Sequence, residues 1–373
     1  MSETAPPVAK PLAAPAFRRD LPLVRLGYVA LTDAAPLMVA AGLGLFARYG
    51  VAVDLVPTTS WSALRDRIAF GPTDAALLLG PMPLACHFGL GGVQVDLAVT
   101  AVAGRNGNTL VFGHGLLADC SDLAWPLTPA AMAAALATRR AAGRPRPVFA
   151  VVFPYSSHNY LLRHFLASGG IDPDHDVELI VLPPSALPEA LAEGTIDGFC
   201  AGEPWGSRAV DLQVGRIVLS TSSIWPNHPE KLLAFRADGV ARDPGPAVAV
   251  TAALIQATAW LADPANAGKA ASILHRTALP GVPAAVIALA LSERLVLGAG
   301  EMPTAVPGAI RFAAAATRPL PRHTGWLLDA MRRWGHIPAV GVIDPTRPDL
   351  WQKAASQAEF PDLPAFADTP PAA

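Results

Sequence analysis

A regular alternation of predicted strands and helices over the first two thirds of this sequence constrains its fold most. Short apolar segments typical of β-strands alternate with amphipathic segments typical of α-helices. Because this rhythm builds parallel sheets flanked by helices, it predicts an α/β protein. We predict strands at residues 23–29, 51–56, 74–79, 97–103, 148–153, 177–182, 196–200 and 216–219. We predict helices at residues 36–49, 61–70, 157–168, 186–193 and 204–213.

The sequence after Lys231 changes character, and no further strand is predicted there. Alanine-rich helices are expected at residues 245–263, 266–276, 283–295 and 322–334. A chain of 373 residues is long for one core, so two α/β halves and a helical extension predict a two-lobed protein. Its ligand would bind in the cleft between the lobes. The predicted units are a flexible tail (1–21), a first lobe (22–105 plus 225–350), a second lobe (106–224) and a C-terminal tail (351–373).

The composition argues against several classes of function. A hydrophobic content of 52% with 16% charged residues is typical of a folded globular protein. The net charge of −2 provides no basic surface for nucleic acid, and three cysteines are too few for a disulfide framework or a zinc site. The apolar stretch 247–262 contains Thr251, Gln256 and Thr258, which favours a buried helix over a membrane span. We therefore expect no metal or other cofactor, no direct nucleic-acid binding and no membrane insertion.

The first 21 residues bear on the cellular compartment. They contain four prolines, an early Glu3 and the run Arg18-Arg19-Asp20. A secretory signal requires an apolar core of about 7–15 residues after a basic start, which this segment lacks. We expect a cytoplasmic protein, or a periplasmic one if translation starts upstream of Met1.

Lys231 is unusual because this chain hardly uses lysine. Four of its 28 basic residues are lysines, and the others are arginines. Lys231 follows the proline-rich turn 224–230 and precedes the apolar stretch 232–235. Because this chain otherwise uses arginine, a lysine at this position indicates a site that requires a compact ammonium charge rather than a planar guanidinium group. The alternative is a solvated surface lysine.

Four features are candidates for one anion pocket. Two are predicted helix starts, Ser60-Trp61 and Ser157-His158-Asn159, where backbone N–H groups lack intrahelical acceptors. The third is the polar loop Asn106-Gly107-Asn108-Thr109, and the fourth is Lys231. Together they offer amide and imidazole donors, an indole face and one cation, which suits a small, planar, delocalised anion. A phosphate would more often be bound by an arginine fork or a glycine-rich loop, and neither motif occurs.

Each of these residues also has an ordinary structural explanation. Trp61 at the start of an amphipathic helix is commonly a core residue, and His158 in a first helical turn is commonly a cap or surface residue. Asn108 beside a glycine is commonly a turn residue. Taken singly, none of them establishes a site.

A set of short motifs occurs in order over residues 22–340. In the first half they are Leu31-Thr32-Asp33-Ala34-Ala35-Pro36-Leu37, Ser60-Trp61-Ser62-Ala63-Leu64-Arg65-Asp66 and Gly80-Pro81-Met82-Pro83. In the second half they are His158-Asn159-Tyr160-Leu161-Leu162-Arg163, Ala167-Ser168-Gly169-Gly170-Ile171-Asp172-Pro173-Asp174, Asp197-Gly198-Phe199-Cys200, Gly202-Glu203-Pro204-Trp205, Ile224-Trp225 and His228-Pro229-Glu230-Lys231. Taken together, these motifs resemble the nitrate-binding proteins of bacterial nitrate ABC importers and their bicarbonate-binding and cytoplasmic sensor relatives.

The resemblance implies a periplasmic-binding-protein-like type II fold without enzymatic activity. Carried over by position, the ligand-binding residues would be Trp61, Asn108, His158 and Lys231, with backbone amides around Ser62 and Gly107 as additions. A lysine at position 231 resembles the nitrate branch rather than the bicarbonate branch. The family usually has glutamine at the position of Asn108, a departure that bears on the size preference of the pocket.

With no export signal visible, the chain is most similar to the cytoplasmic nitrate/nitrite sensor branch. Members of that branch hold an RNA-binding antitermination regulator inactive until the anion binds. An exported nitrate or bicarbonate receptor of an ABC importer is the alternative. A third hypothesis is an enzyme of related fold, such as one making a pyrimidine precursor of thiamine, which would need a reactive lysine or histidine in a cofactor pocket.

Overall fold

The computed structural model describes residues 20–121, 123–339, 341, 343–364 and 366–371. Its strands are β1 (Leu23–Val29), β2 (Ala52–Thr58), β3 (Ala75–Leu79), β4 (Leu97–Asn106), β5 (Asn108–Gly113), β6 (Val148–Val151), β7 (Glu178–Val181), β8 (Gly198–Gly202), β9 (Gly215–Ser220), β10 (Pro229–Arg236), β11 (Arg294–Leu295), β12 (Thr304–Ala305) and β13 (Ile310–Arg311). Its helices are α1 (Ala35–Gly42), α2 (Leu45–Arg48), α3 (Trp61–Ala69), α4 (Met82–His87), α5 (His114–Leu117), α6 (Pro129–Ala141), α7 (Ser157–Ser168), α8 (Leu187–Ala192), α9 (Trp205–Asp211), α10 (Ala237–Arg242), α11 (Gly245–Leu261), α12 (Ala267–Thr277), α13 (Ala284–Leu291), α14 (Pro321–Arg333) and α15 (Pro348–Gln357).

Two large sheets organise the described residues into two lobes. The first sheet has the order β13-β4-β10-β3-β1-β2, and the second has the order β7-β6-β8-β5-β9. We call the first sheet with helices α1–α4 and α10–α15 the first lobe, and the second sheet with helices α5–α9 the second lobe. Strands β1, β2 and β3 are parallel, as are β6, β7 and β8, whereas β10 and β5 run antiparallel to their neighbours. The predicted α/β architecture is confirmed.

The chain crosses between the lobes after β4 and again between β9 and β10, and Asn106 connects the two crossings. Asn106 has a positive φ of 57°, a left-handed conformation that asparagine tolerates better than most residues. Its side chain accepts a hydrogen bond from the His228 amide at 3.1 Å and donates one to the Gly308 carbonyl at 2.6 Å. Its backbone amide donates to the His228 carbonyl at 3.0 Å. These bonds hold the two crossing segments against each other.

Several sequence predictions are corrected by the structure. The helix predicted at 36–49 is broken into α1 and α2, because Gly44 adopts a left-handed φ of 68°. Helix α6 is not among the predicted elements. The prediction that no strand follows Lys231 is wrong, since Lys231 lies within β10 and three two-residue strands come later. The polar loop predicted at residues 106–109 is also corrected. Asn106 ends β4 and Asn108 begins β5, so Gly107 is the one residue between the two strands.

The C-terminal residues differ from the tail expected at 351–373. Residues up to Gln357 belong to α15, which packs on α11 and buries Trp351. Farther on, the Asp368 carboxylate is buried and lies 2.8 Å from Arg105 and 2.8 Å from His323. At the other end, residues 1–19 of the expected flexible tail lie outside the described residues.

Within the described part of the chain, no single helix is long and apolar enough to cross a membrane. Helix α11 and the segment Pro264–Thr277 meet the requirement only as a pair, which is bent by 96°.

Candidate functional site

Lys231 lies inside the protein, near the start of β10. Its side chain is fully buried, and the residue pairs with Leu79 of β3 and Gly104 of β4. Its Nζ lies 2.8 Å from Oδ2 of Asp33 and 3.0 Å from Oε1 of Glu230. The alternative of a solvated surface lysine is therefore wrong.

Glu230 and Lys231 meet because β10 is irregular at this point. Adjacent residues of a regular strand direct their side chains to opposite faces of the sheet. The pairing of β10 with β4 shifts register between Pro229 and Lys231 and again between Lys231 and Leu232. Such bulges redirect side chains and occur often beside functional sites.

Trp61 is the first residue of α3 and lies beside the lysine. The Ser60 side chain caps this helix by accepting a hydrogen bond from the Ala63 amide, as expected from the sequence. The Trp61 ring is buried, and its centroid lies 5.2 Å from the ammonium of Lys231, within the range of a cation–π contact. The indole Nε1 has no hydrogen-bond partner among the described residues. The side chain of Ser62 is exposed, so Ser62 could act only through its first-turn amide.

His158 and Ser157 open α7 on the side of the second lobe. Ser156 caps this helix by accepting a hydrogen bond from the Asn159 amide at 3.1 Å. Both ring nitrogens of His158 and the Ser157 hydroxyl are buried without a hydrogen-bond partner in the described structure. Nε2 of His158 lies 3.7 Å from Oε1 of Glu230. Burial lowers the pKa of His158 to about 3, so this imidazole is neutral near pH 7.

Asn108 begins β5 and is buried between the lobes. Its Nδ2 donates a hydrogen bond to Oε2 of Glu230 at 2.8 Å, while its Oδ1 has no partner among the described residues. The amide of the preceding Gly107 donates to the Ala309 carbonyl at 2.7 Å. In this arrangement the Gly107 amide is not available to a ligand.

Glu230 and Asp33 are the charged residues that sequence reasoning left out of the site. Burial alone would raise the pKa of Glu230, but the adjacent Lys231 ammonium is the main cause that lowers it to about 2. Burial raises the pKa of Asp33 despite the opposing charge of Lys231. Burial alone would lower the pKa of Lys231, yet Asp33 and Glu230 raise it above its ordinary value. The lysine is therefore a permanent cation near neutral pH.

His228 completes the surroundings of Glu230. Its Nδ1 lies 3.6 Å from Oε2 of Glu230, and its Nε2 lies 2.9 Å from the Thr221 hydroxyl. Burial lowers the pKa of His228 to about 4, so it is neutral near pH 7. Both Thr221 and His228 belong to the second crossing, which places one end of this network at the connection between the lobes.

The buried polar atoms without partners are concentrated around this cluster. They include Trp61 Nε1, Asn108 Oδ1, Ser157 Oγ and both ring nitrogens of His158. Folded proteins satisfy nearly all of their buried polar groups, so such a concentration indicates a ligand that would pair with the donors among them. Gly202 lies against the same cluster, since a Cβ there would lie 3.5 Å from Asn108 Oδ1 and 3.6 Å from Asp33 Oδ2. Among the described residues, no group of three or more His, Cys, Asp or Glu could hold a metal ion.

A protein-family model described as the NMT1-like family matches residues 19–275, which is more than half of the chain. The chain belongs to the NMT1-like family. The match includes every residue of the cluster described above.

Curated relatives of this NMT1-like protein are named as binding proteins. The nitrate/nitrite binding protein NrtA of Synechococcus elongatus is 33% identical over 92% of this chain and 80% of its own length. The bicarbonate-binding protein CmpA of the same species is 30% identical over 95% of this chain and 83% of its own length. Neither relative is named as an enzyme.

The fold agrees with that of a solved relative. The crystal structure of the periplasmic nitrate-binding protein NrtA from Synechocystis PCC 6803 superposes with a TM-score of 0.83 and 29% identity. The match covers 92% of this chain and 91% of that chain. The periplasmic-binding-protein-like fold expected from the sequence is therefore confirmed for this NMT1-like protein.

Proposed function

We propose that this protein binds nitrate or nitrite in the cleft between its two lobes. The observation that carries the proposal is the buried ammonium of Lys231, which contacts the Trp61 ring and lies among buried polar atoms that lack partners. The relatives named above bind nitrate, nitrite or bicarbonate according to their names, so the binding of a small anion is the property that they share.

The donors and the cation suit a planar monovalent anion. Trp61 Nε1 is a donor, and Ser157 Oγ and the N–H of a neutral His158 ring can also donate. The Lys231 ammonium supplies a compact charge, and the Trp61 ring supplies a flat apolar surface. A tetrahedral dianion would need more positive charge than this cluster holds.

Ligand binding and lobe closure are coupled in this proposal because both lobes contribute to the site. Trp61 and Lys231 belong to the first lobe, whereas Asn108 and His158 belong to the second. All four are at most 1% exposed, as expected for lobes closed around the site. An anion that bridges the lobes favours the closed form by its difference in affinity for the closed and open forms.

The finer proposal is a cytoplasmic nitrate/nitrite sensor that controls an RNA-binding antitermination regulator. Its support is the motif resemblance and the contribution of both lobes to the site. If the regulator binds the open form better, the anion and the regulator weaken each other's binding to the same degree. The net charge of −2 agrees with a sensor that contacts the regulator rather than RNA.

A receptor that supplies an ABC importer with nitrate or bicarbonate is the second candidate. It is favoured by the names of the relatives and by the extent of the match, which includes a solved periplasmic nitrate-binding protein. The two candidates share the anion site and differ in compartment and partner.

Equilibrium dialysis with isotopically labelled nitrate tests the shared anion site, and saturable retention of the label is expected. Pull-downs of the tagged protein from nitrate-free and nitrate-fed cells distinguish the candidates. The sensor proposal expects a protein partner that nitrate releases, and a site variant such as Lys231→Arg should retain that partner under both conditions. Equal recovery of the same partners by the native protein under both conditions would contradict the sensor. Recovery of the protein in the periplasmic fraction would support the receptor.

A further inference from the structure

Two carboxylates share the single ammonium of Lys231 in the buried cluster. Oδ2 of Asp33 lies 2.8 Å from Nζ, and Oε1 of Glu230 lies 3.0 Å from it. The side chains of Asp33, Glu230 and Lys231 are at most 2% exposed, so water screens their charges little. With Lys231 and both carboxylates ionised, the cluster carries one negative charge in excess.

The other titratable groups around the cluster do not cancel this excess. His158 on α7 and His228 in the second crossing face Glu230, and burial keeps both rings neutral. Glu203 lies close to Asp33, because the backbone carbonyl of Glu203 accepts a hydrogen bond from the amide of Thr32, the residue before Asp33. The Glu203 carboxylate itself is directed toward Thr109 and Ser207. A monovalent anion entering this cluster would therefore leave two uncompensated negative charges in a buried space, which is strongly unfavourable.

The two carboxylates differ in how well their negative charge is stabilised. Glu230 receives hydrogen bonds from Lys231 and from Asn108 Nδ2 at 2.8 Å. Asp33 pairs with Lys231 and interacts with its own backbone amide, and neither of its oxygens accepts a hydrogen bond from a further residue among those described. Burial also raises the pKa of Asp33, whereas the pKa of Glu230 lies well below its ordinary range. Asp33 is therefore the carboxylate that accepts a proton more easily.

We propose that the anion enters this site together with one proton, and that Asp33 carries the proton in the bound state. The inference rests on the proposed anion-binding function and specifies its ligand as a monovalent anion with a co-bound proton. The proton comes from solvent and forms an O–H bond on the Asp33 carboxyl group, so the charge of the site is unchanged by binding. Lys231, freed from one of its two counterions, then pairs with the anion.

Calorimetric titrations with nitrate at one pH in two buffers of different ionisation enthalpy measure the protons taken up on binding. We expect an uptake close to one proton per nitrate. Above the pKa of Asp33 in the free protein, nitrate affinity should fall by about tenfold for each unit of rising pH. In an Asp33→Asn variant, nitrate should still bind, without proton uptake and with an affinity independent of pH. Asp54→Asn, a change of the same kind on the exposed side of β2, should behave like the native protein.

The possible failures are distinguishable. Nitrate binding by the native protein without proton uptake would overturn this inference and leave the proposed function intact. Proton uptake that persists in Asp33→Asn would overturn the assignment to Asp33. No nitrate binding by the native protein at any pH would overturn the proposed function itself, and the inference with it.

Discussion

The side-chain amide of Asn108 donates a hydrogen bond to Oε2 of Glu230 across 2.8 Å, and the two residues belong to different lobes. The other oxygen of the same carboxylate accepts from Lys231 at 3.0 Å. The buried Glu230 carboxylate therefore contacts both Asn108 of the other lobe and Lys231, the cation proposed to bind the anion. Any ligand that changes the environment of Lys231 acts directly on this contact.

Removing the Asn108 amide should weaken both lobe closure and nitrate binding. Asn108→Ala leaves Glu230 Oε2 buried without this donor, which costs about 1–3 kcal/mol in the closed form. We expect nitrate affinity to fall by about tenfold or more. Small-angle X-ray scattering should show a larger radius of gyration than that of the native protein. Asn266→Ala, which removes a bond to the Trp260 carbonyl far from the cleft, should change neither quantity.

Lys231 should not be replaceable by arginine. A guanidinium is larger and planar, and Lys231 is fully buried between Asp33, Glu230 and the Trp61 ring. We expect Lys231→Arg to lower nitrate affinity by at least about tenfold, or about 1.4 kcal/mol. Lys269→Arg on the exposed side of α12 is the matched control. Unchanged affinity of the Lys231 variant would remove this residue from the pocket.

The buried histidines should make the protein less stable in mild acid. Burial lowers the pKa of His158 to about 3 and that of His228 to about 4, from 6.5. Between pH 6.5 and 4 the unfolded chain therefore binds protons that the folded protein does not, and stability falls as pH falls. Asp33 partly opposes this trend, because its raised pKa favours proton binding in the folded state.

Denaturant unfolding at several pH values measures this effect. In the native protein each of the two histidines should lower the free energy of unfolding by about 3 kcal/mol from neutral pH to pH 4, and Asp33 should offset part of this loss. His228→Gln should reduce the slope of stability against pH, while His175→Gln, an exposed position, should leave it unchanged. An equal slope in the native protein and the His228 variant would contradict the buried neutral state of this ring.

Asp368 should stabilise the fold although it lies near the C-terminus. Its carboxylate is fully buried and pairs with Arg105, Arg322 and His323, and Arg105 lies next to the first crossing between the lobes. Asp368→Asn leaves the buried Arg105 without its counterion and should lower the free energy of unfolding by about 3 kcal/mol. Asp362→Asn, at an exposed position nearby, should have little effect, and equal unfolding midpoints for the two variants would contradict this role.

The same ion pairs predict a further loss of stability at lower pH. Hydrogen bonds from His323 and Arg322 outweigh the effect of burial and lower the pKa of Asp368 to about 2. The stabilisation is complete above the pKa of an unfolded aspartate, about 4, and is lost as pH falls toward 2.

Local signals made several elements predictable from the sequence. Helix α7 has the predicted bounds because a serine caps it and its apolar residues follow a helical period. Helix α3 begins at the predicted Trp61 for the same reason. The break at Gly44 was not predictable from periodicity, since the apolar pattern continues across a glycine whose left-handed φ ends α1.

The long-range relationships of the site could not be read from local patterns. Lys231 stands out by composition, but its place on a central strand depends on pairing with β3 and β4, which are distant in sequence. Asp33 and Glu230 lie within the resembling motifs, yet only the folded chain brings both to one ammonium. Asp368 reaches Arg105 across 263 residues of sequence, so a segment rich in proline and alanine gave no sign of a buried ion pair.

Calorimetric titration of the purified protein with nitrate, nitrite and bicarbonate in chloride-free buffer tests the central claim most directly. We expect saturable binding of nitrate or nitrite with a stoichiometry of about one, and weaker or no binding of bicarbonate. Binding of bicarbonate alone, or of none of the three anions, would contradict the proposed nitrate/nitrite site around Lys231.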